Sequence, residues 1–326
     1  MIRVLELFAG IGACSKALER LEIEHEIVDA VEIDKYAIKS FNAIHNTNFE
    51  TQDICNWDKD LQVDLIMHGS PCQDFSLAGK QAGGDKDSGT RSSLMYETIR
   101  IVGKLKPKYV IWENVKNLLS KKHRHNFDAY LETMGKLGYT NYYEVLNAKN
   151  YGIPQNRERV FVVSILGNDT FEFPVKQNKV NFVDFLDSDV PSKYYFDVRE
   201  LFEKIKFKKN NYYEDSLKIL NNKLSKDKFY TLDLRYDEGF RIRKNDVLPT
   251  ITTKNYTSRT STPLIYYNGI LRGLTPKECL KFMGFSEDDF NKMKVMNEDI
   301  QLYKQAGNSI VVNVLEEIFK KLFKEV

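Results

Sequence analysis

Cysteine is scarce in this chain, and its few cysteines are widely scattered: Cys14, Cys55, Cys72 and Cys279. Their spacing is not that of metal ligands, which argues against a cysteine-based zinc site and against a disulfide framework. The sequence also lacks an apolar run long enough to span a membrane, and no charged and apolar leader follows Met1. We therefore expect free thiols, no metal and a soluble protein of the cytoplasm.

A strong charge of either sign is absent as well. The formal net charge is +2, which favours no particular partner. Residues 201–260, however, contain 14 Lys and Arg against 8 Asp and Glu. Such a basic segment is more often a solvated face than a surface for phosphates, so it is weak support for nucleic-acid binding.

The length of 326 residues is enough for about two domains. In the first half, short apolar runs alternate with helical patterns, which is typical of an α/β fold with a largely parallel sheet. From about Phe173 the sequence is polar, aromatic and rich in lysine, and we place a domain boundary near Asp187. The patterns predict strands over 3–7, 26–31, 49–51, 63–67, 109–112, 143–146 and 160–166, and helices over 14–21, 34–45, 94–105 and 126–137.

A glycine turn follows the first predicted strand and precedes a helical pattern. It contains Gly10 and Gly12, and glycine lets the backbone approach a ligand closely, as in nucleotide-binding turns. The third glycine of the dinucleotide motif is missing, because Ser15 stands in its place. The turn alone is therefore as consistent with a simple connection between strand and helix as with a ligand-binding loop.

Glu32 follows the second predicted strand. An acid about twenty residues after such a turn can accept hydrogen bonds from both hydroxyls of a ribose. Asp53 and Ile54 occupy the equivalent place after the third predicted strand. Without the glycine turn, a solvated carboxylate near a helix start would be a sufficient interpretation of Glu32.

Cys72 lies within Gly-Ser-Pro-Cys-Gln-Asp-Phe-Ser, residues 69–76, just after a predicted buried strand. Pro71 restricts the backbone here, so the thiol can be held forward at the rim of a pocket. A free cysteine is usually a small buried hydrophobe, and Cys72 considered alone would be interpreted that way. The segment 77–92 that follows combines four glycines with cations that include Lys80 and Arg91. This composition suits a hinged lid over an anionic substrate.

The glycine turn, Glu32, Cys72 and Glu113 each follow the carboxyl end of a predicted strand. Ligands bind at that edge of a parallel α/β sheet, so these features define one candidate site. Further along, Arg157 and Arg159 alternate and would face the same way in an extended chain. They could form a surface ion-pair cluster or direct guanidinium groups into the cleft.

Three motifs lie in the second half of the chain. Residues 275–278 (Thr-Pro-Lys-Glu) predict the capped start of a helix, with threonine at the N-cap, proline at the first helical position and glutamate closing a capping box. The run at 248–259 is rich in short hydrogen-bonding and cationic side chains, which suit the reading of base edges or phosphates. An exposed β-ribbon or loop explains this composition equally well. The segment 305–309 (Gln-Ala-Gly-Asn-Ser) precedes an amphipathic stripe at 311–323, which is most simply a core helix.

Six of these segments, in order, resemble the motifs of the DNA (cytosine-5) methyltransferase family of bacterial and phage restriction-modification systems. Any one of them would be a weak match, but six in order are very specific and cover both ends of the chain. The matching segments are 8–12 (Phe-Ala-Gly-Ile-Gly), 69–76, 113–115 (Glu-Asn-Val), 155–159 (Gln-Asn-Arg-Glu-Arg), 272–285 and 305–309.

The resemblance implies a fold and a division into domains. The fold would be α/β, with a Rossmann-like, doubly wound sheet that binds S-adenosylmethionine and a smaller, mostly irregular and β domain that recognises the target. The catalytic domain would comprise residues 1–187 and 288–326. The target-recognition domain would comprise residues 188–287.

The resemblance also implies the cofactor site. S-adenosylmethionine, with S-adenosylhomocysteine as product, would bind with Phe8 against the adenine, Glu32 on the ribose and Asp53 with Ile54 at the adenine edge. The further cofactor-binding positions that it implies are Gly10, Gly12, Leu94, Asn308 and Ser309.

For catalysis the resemblance implies a covalent route. Cytosine C5 is too electron-poor to attack a methyl sulfonium, so the Cys72 thiolate would first add to C6 and make C5 nucleophilic. Glu113 would meet N3 and Arg159 would meet O2, where the addition places charge. Arg157 would support the loop or Glu113, and the sequence does not identify the base that removes the C5 proton.

The implied substrate is a cytosine flipped out of double-stranded DNA. We expect a monomer, and a separately acting restriction endonuclease is left open as a partner. The residues expected to contact DNA are Gln73, Lys80 and Arg91, which could fill the gap, and Thr250, Ile251, Lys254 and Arg259 in the recognition domain, where Thr250-Ile251 matches the family's Thr-Leu pair.

Three other functions remain open. A tRNA cytosine-5 methyltransferase would share the scaffold, although the distinct insert at 188–287 favours DNA. A catalytically silent DNA-binding regulator could keep the fold, although it would not need Cys72, Glu113 and Arg159 together. A nicotinamide dehydrogenase would explain the glycine turn but would leave Cys72 unexplained.

Overall fold

The computed structural model describes residues 1–71, 94–175, 180–196, 229–235, 239–243, 247–253 and 263–323, together with positions 214, 215, 218 and 224. The chain divides into two compact units. Unit 1 contains Met1–Asn147, Glu158–Lys176 and Ile310–Val326, and unit 2 contains Ala148–Arg157 and Gln177–Ser309. Unit 2 is therefore larger than the expected recognition domain, because it also contains 148–157, 177–187 and 288–309. The assignment of 188–287 to target recognition stays a prediction.

The strands and helices are numbered here in chain order. The described strands are β1 (Ile2–Leu7), β2 (His25–Val31), β3 (Leu65–His68), β4 (Tyr109–Val115), β5 (Tyr139–Asn147), β6 (Gln155–Asn156), β7 (Glu158–Leu166), β8 (Tyr230–Arg235), β9 (Gly239–Arg243), β10 (Leu248–Pro249), β11 (Pro263–Tyr267) and β12 (Ile270–Gly273). The described helices are α1 (Ala13–Arg20), α2 (Lys35–His45), α3 (Met95–Leu105), α4 (Arg124–Lys136), α5 (Pro276–Lys281), α6 (Glu287–Met296), α7 (Asp299–Asn308) and α8 (Val312–Phe323).

Unit 1 is built on one sheet with the strand order β2-β1-β3-β4-β7-β5. Strand β1 is parallel to β2 and β3, and β3 is parallel to β4. Because the chain winds from β1 first to one side and then to the other, the sheet is doubly wound, as expected. Strand β7 runs antiparallel to β4 and β5. The carboxyl ends of β1 to β4 therefore meet at one edge, where β7 begins.

The core of unit 1 covers this sheet with helices. Alternate residues of β1, Leu5 and Leu7, pack in one cluster with the apolar faces of α3 and α4. On β2, Ala30 packs with Ile38 and Phe41 of α2. The stripe predicted at 311–323 is α8, with Leu315 and Phe319 fully buried. The core helix expected at the end of the chain is confirmed.

Two local predictions were wrong. The stretch 49–51 forms no strand, since its backbone is held by the Asn42 side chain, which bonds both the N–H and the carbonyl of Phe49. Strand β4 continues through Val115, so Glu113 lies inside the strand and not beyond its end. The cause is pairing with β7, which extends the ladder past the apolar run visible in the sequence.

Unit 2 contains a four-stranded antiparallel sheet with the order β12-β11-β8-β9, and β10 pairs in parallel with β6. Helix α5 begins as the sequence predicts, with Thr275 as N-cap, Pro276 in the first turn and Glu278 closing the capping box. Glu278 also binds Arg272 through two buried hydrogen bonds of 2.8 and 2.7 Å. Among the described residues of the whole chain, no helix combines the length and apolar character needed to cross a membrane.

Candidate active site

The glycine turn joins β1 to α1 through left-handed backbone conformations. Phe8, Gly10 and Gly12 have φ angles of 53°, 59° and 79°. Among the residues that the structure describes, a Cβ atom at Gly10 would meet nothing within 4 Å, which leaves open space for a ligand beside the backbone. A Cβ atom at Gly12 would lie 2.1 Å from Nε2 of His45, so this position excludes any side chain.

Glu32, at the carboxyl end of β2, holds the glycine turn in place through hydrogen bonds. Its Oε2 accepts the N–H of Gly10 at 2.9 Å, and its Oε1 accepts the N–H of Asp34, the N-cap of α2, at 2.8 Å. Burial raises the pKa of this carboxyl group. A carboxylate has about four lone-pair sites, so each oxygen can still accept a ribose hydroxyl. The acid, the turn and the open space beside Gly10 therefore fit a nucleoside ligand.

Asp53 and Ile54 form the start of a short 3₁₀ turn, Ile54–Asn56. The Asp53 carboxylate accepts the N–H of Cys55 at 3.0 Å and so caps the turn, while Ile54 is buried in the core. Arg100 of α3 donates to the carbonyl of Ile54 at 3.0 Å. Leu94, immediately before α3, packs against the same core cluster.

Glu6 is a second buried acid beneath the turn that the sequence did not reveal as important. Its carboxylate accepts the N–H of Ser15 at 3.0 Å and also the Ser15 hydroxyl. Ser15, which replaces the third glycine of the dinucleotide motif, thus holds α1 to β1. Burial raises the pKa of Glu6 to about 7, although the hydrogen bonds from Ser15 oppose the rise.

The nucleophile segment begins at the end of β3, and the structure describes it as far as Pro71. Ser70 is buried between two side chains of β4: Trp112 Nε1 donates to its hydroxyl at 2.9 Å, and Asn114 Nδ2 donates to its carbonyl at 3.2 Å. The chain is therefore fixed two residues before Cys72. Cys72 itself, with Gln73, Lys80 and Arg91, lies outside the described residues.

His68, the last residue of β3, belongs to a buried aromatic cluster. Its ring is nearly parallel to Trp112, at 5.7 Å between centroids, and its Nε2 lies 3.0 Å from the hydroxyl oxygen of Tyr130. Burial lowers the pKa of His68 to about 3, so the ring is neutral near pH 7. Its side chain is fully buried, which excludes it as the base that contacts a substrate.

Glu113 and Arg159 form an ion pair in which Arg159 Nε lies 3.0 Å from Glu113 Oε1. Register explains the contact: Val115 is opposite Arg159 on the antiparallel strands, and Glu113 lies two residues before Val115 on the same face. Both side chains are mostly buried, with 11% of Glu113 and 17% of Arg159 exposed. A Cβ atom on Gly69 would be 3.9 Å from Glu113 Oε2, so the carboxylate lies beside the segment that leads to Cys72.

Arg157 lies in unit 2 and binds main-chain carbonyls there. It donates to Ile251 at 3.0 Å, to Gly307 at 3.2 Å and to Ser309 at 2.7 Å. The Gly307 backbone lies directly against another segment of unit 2, because a Cβ atom on it would be 2.4 Å from the carbonyl carbon of Thr252. The end of α7, with Asn308 and Ser309, is thereby fixed to the segment 250–253.

The neighbouring residues of β6 hold the same segment. Thr250 donates its hydroxyl to the carbonyl of Asn156 at 2.7 Å, and the N–H of Ile251 donates to the Gln155 side chain at 3.1 Å. The Thr250-Ile251 pair is therefore described and well anchored. Lys254 and Arg259 lie outside the described residues.

The sequence missed the residues that hold the predicted ones in place. Trp112, His68 and Glu6 were not predicted as parts of the site. Trp112 and His68 act through contacts with residues 42 and 62 positions away, and Glu6 acts through Ser15 in the next element. Ser15 could have pointed to Glu6, since a polar side chain at a position where glycine is usual needs a hydrogen-bond partner nearby.

The doubly wound sheet and the site at its carboxyl edge are those of a Rossmann-like enzyme with room for a nucleoside ligand. The sequence model of the C-5 cytosine-specific DNA methylase family matches residues 2–324. The chain belongs to this family and is a DNA (cytosine-5) methyltransferase.

Relatives of known type match this chain over almost their whole length. The type II methyltransferase M2.ScrFI of Lactococcus lactis subsp. cremoris is 36% identical, with 99% of each chain covered. The type II methyltransferase M.Bsp6I of Bacillus sp. (strain RFL6) is 32% identical, again with 99% of each chain covered. The orphan methyltransferase M.SPRI of Bacillus phage SPR is 28% identical over 98% of this chain and 97% of its own.

Solved structures share the fold. A methyltransferase of Entamoeba histolytica, EhMeth, superposes with a TM-score of 0.73 at 20% identity, covering 100% of this chain and 98% of its own. The Dnmt2 methyltransferase of S. pombe gives a TM-score of 0.66 at 18% identity, with 99% of each chain covered.

Proposed function

We propose that this enzyme methylates C5 of a cytosine flipped out of double-stranded DNA, through a covalent bond between Cys72 and C6 of the base. The observation that carries the proposal is the Glu113–Arg159 ion pair, held beside the Gly69–Pro71 segment that leads directly into Cys72. An acid, a fixed cation and a thiol are the groups that addition to a cytosine ring requires.

The proposed reaction begins with attack of the Cys72 thiolate on C6. The π electrons of the C5–C6 bond move to the C4–C5 bond and those of the N3–C4 bond move to N3, where Glu113 in its protonated form would donate a hydrogen bond or proton, while Arg159 stabilises charge at O2. C5 is then nucleophilic and takes the methyl group, and S-adenosylhomocysteine is the leaving group. A base then removes the C5 proton, and the returning electron pair expels Cys72 as thiolate.

The cofactor site is proposed to lie along the carboxyl edge of β1 and β2. S-adenosylmethionine supplies the methyl group as an electrophilic sulfonium. Glu32 would accept the ribose hydroxyls with its remaining lone pairs, and the open space beside Gly10 would admit the methionine end. The other proposed contacts are Phe8, Gly12, Asp53, Ile54, Leu94, Asn308 and Ser309.

DNA is the substrate that the family implies. Base flipping costs about a few kcal/mol and would bring C5 of the cytosine, which is buried in the duplex, to Cys72, Glu113 and Arg159. The tRNA alternative and the silent regulator are not favoured, because the family and the type II relatives named above are DNA-modifying enzymes. A restriction endonuclease partner and a monomeric state stay predictions, as do the DNA contacts Gln73, Lys80, Arg91, Thr250, Ile251, Lys254 and Arg259.

Bisulfite sequencing of plasmid DNA from cells that express the protein tests the activity. We expect 5-methylcytosine confined to one short motif, lost in Cys72→Ser and kept in Cys55→Ser, which alters an exposed thiol. Full methylation by Cys72→Ser would overturn the covalent mechanism.

Duplex DNA that carries 5-fluorocytosine at the methylated position tests the adduct itself. Fluorine cannot leave as a cation, so elimination of Cys72 is blocked after methyl transfer. A complex that resists denaturing detergent should accumulate with the wild type and not with Cys72→Ser. Turnover without a trapped complex would contradict the proposal.

A further inference from the structure

Asp29 of β2 is a buried carboxylate to which two distant parts of the chain are attached. It is 1% exposed and accepts four hydrogen bonds. Its Oδ1 accepts from the N–H of Ala30 at 3.0 Å and from Gln52 Nε2 at 2.8 Å. Its Oδ2 accepts from Trp57 Nε1 and from Lys59 Nζ, both at 2.7 Å.

These partners flank the turn that carries Asp53 and Ile54. Gln52 immediately precedes Asp53, and Trp57 immediately follows the 3₁₀ turn. Asp29 therefore fixes both ends of the turn at once. The N–H of Gln52 also donates to the carbonyl of Glu32 at 2.9 Å. This bond fixes the position of the turn relative to Glu32, which is predicted to bind ribose.

The chemistry of the cluster keeps Asp29 ionised. Burial alone would raise its pKa, but hydrogen bonds from Lys59, Trp57 and Gln52 outweigh burial and lower the pKa of the carboxyl group. A buried, ionised carboxylate with four donors has a fixed geometry, because every donor that moves away leaves charge uncompensated.

We propose that Asp29 is a positioning residue for the adenine end of the cofactor site. It would act through Asp53 and Ile54, which it holds at a fixed distance from Glu32. The inference rests on the proposed function, in which these residues contact S-adenosylmethionine.

Asp29→Asn tests the inference with little change in shape. The amide keeps one acceptor but turns an NH₂ group toward a donor, so one end of the turn is released. We expect the Kd for S-adenosylhomocysteine, measured by calorimetry without DNA, to rise about tenfold. The KM for S-adenosylmethionine should rise similarly, with kcat changed less than about twofold.

Asp64→Asn is the matched control. Asp64 also holds a charged partner, since it accepts from Arg3 N, Nε and a terminal nitrogen at 2.9, 2.8 and 2.8 Å, but it lies at the amino end of β3. It should lower Tm and leave the Kd for S-adenosylhomocysteine unchanged. An equal Kd for wild type and Asp29→Asn would overturn the inference.

Lys59→Met keeps the test open if Asp29→Asn does not fold. It removes one of the four donors from the half-exposed side of the cluster. We expect a smaller rise in Kd, and no further rise when it is combined with Asp29→Asn, because both changes break the same pair. A wild type that fails to bind S-adenosylhomocysteine would instead refute the proposed cofactor site and the inference with it.

Discussion

Arg159 Nε lies 3.0 Å from Glu113 Oε1, and this pair joins two antiparallel strands at the sheet edge where β3 ends. Without a nucleobase in the site, the Glu113 carboxylate and the Arg159 guanidinium neutralise each other. The pair thus holds together the carboxyl group and the cation that the proposed reaction would use.

Glu113→Gln should test the role of the carboxyl group while the size of the side chain is kept. The amide keeps the size of the side chain but has no acidic proton and no negative charge to pair with Arg159. We expect the single-turnover rate of methylation to fall about 10²- to 10⁴-fold, while S-adenosylhomocysteine still binds. Glu158→Gln, which breaks the more exposed pair with Lys116, is the control and should change the rate less than twofold. A rate near that of the wild type for Glu113→Gln would remove Glu113 from the mechanism.

Gly12→Ala should destabilise the glycine turn. The new methyl group would lie 2.1 Å from His45 Nε2 and 2.9 Å from a ring carbon of Phe41, at a φ of 79°. Left-handed strain and overpacking together should lower the free energy of unfolding by about 2–5 kcal/mol. Gly135→Ala in α4 is the control, because beyond its own helix no described residue lies within 4 Å of the added methyl group, and the change should stabilise the helix slightly. Urea denaturation of both variants checks the difference, and equal stabilities would contradict it.

Glu6→Gln should reveal a buried acid that titrates near neutral pH. The pKa of Glu6 is about 7 in the folded protein against 4.5 in the unfolded chain, so the folded state binds the proton more tightly. Stability from this group is complete below pH 4.5 and is lost as the pH rises through 7, by up to about 3 kcal/mol.

The variant cannot titrate at this position. Relative to Glu6→Gln, the wild type should therefore lose free energy of unfolding between pH 4.5 and 7, measured by urea denaturation at a series of pH values. Glu132→Gln removes an exposed ion pair with Lys136 and should not reproduce the trend. A pH-independent difference between wild type and Glu6→Gln would show that the carboxyl group has an ordinary pKa.

Ser70→Ala should loosen the segment before Cys72. The indole N–H of Trp112 would lose its acceptor inside the core, at a cost of about 1–3 kcal/mol. We expect kcat to fall several-fold with the KM for DNA unchanged, because the thiol is positioned less well and substrate contacts are kept. The double variant Ser70→Ala, Trp112→Phe should recover stability, since no unpaired donor remains. Additive losses of stability would argue that Ser70 and Trp112 act independently.

Sequence reasoning located the parts of the site that are local in the chain. The glycine turn, Glu32 and the segment ending at Pro71 lie at strand ends, as the periodicity predicts, because strand and turn signals depend on neighbouring residues. The start of α5 was predicted to the residue, since a capping box is a short-range pattern.

Contacts between distant segments were not predictable in the same way. The pattern suggested that Arg157 and Arg159 face together, but Arg159 pairs with Glu113 whereas Arg157 donates to three carbonyls of unit 2. The chain passes from one compact unit to the other between these two arginines. Alternation along an extended strand holds only while the strand stays in one sheet, and no local signal marks that change.

Arg157 donates hydrogen bonds to main-chain carbonyls, that of Ile251 among them. Gly307 also lies against main-chain atoms, those of Thr252 and Thr253. Neither attachment depends on which side chains stand at positions 252 and 253. Variants with other side chains at these two positions, proline excepted, should therefore keep the same contact between the two backbones. The position of this segment is set by its main chain, so the side chains that it presents can be changed without moving it.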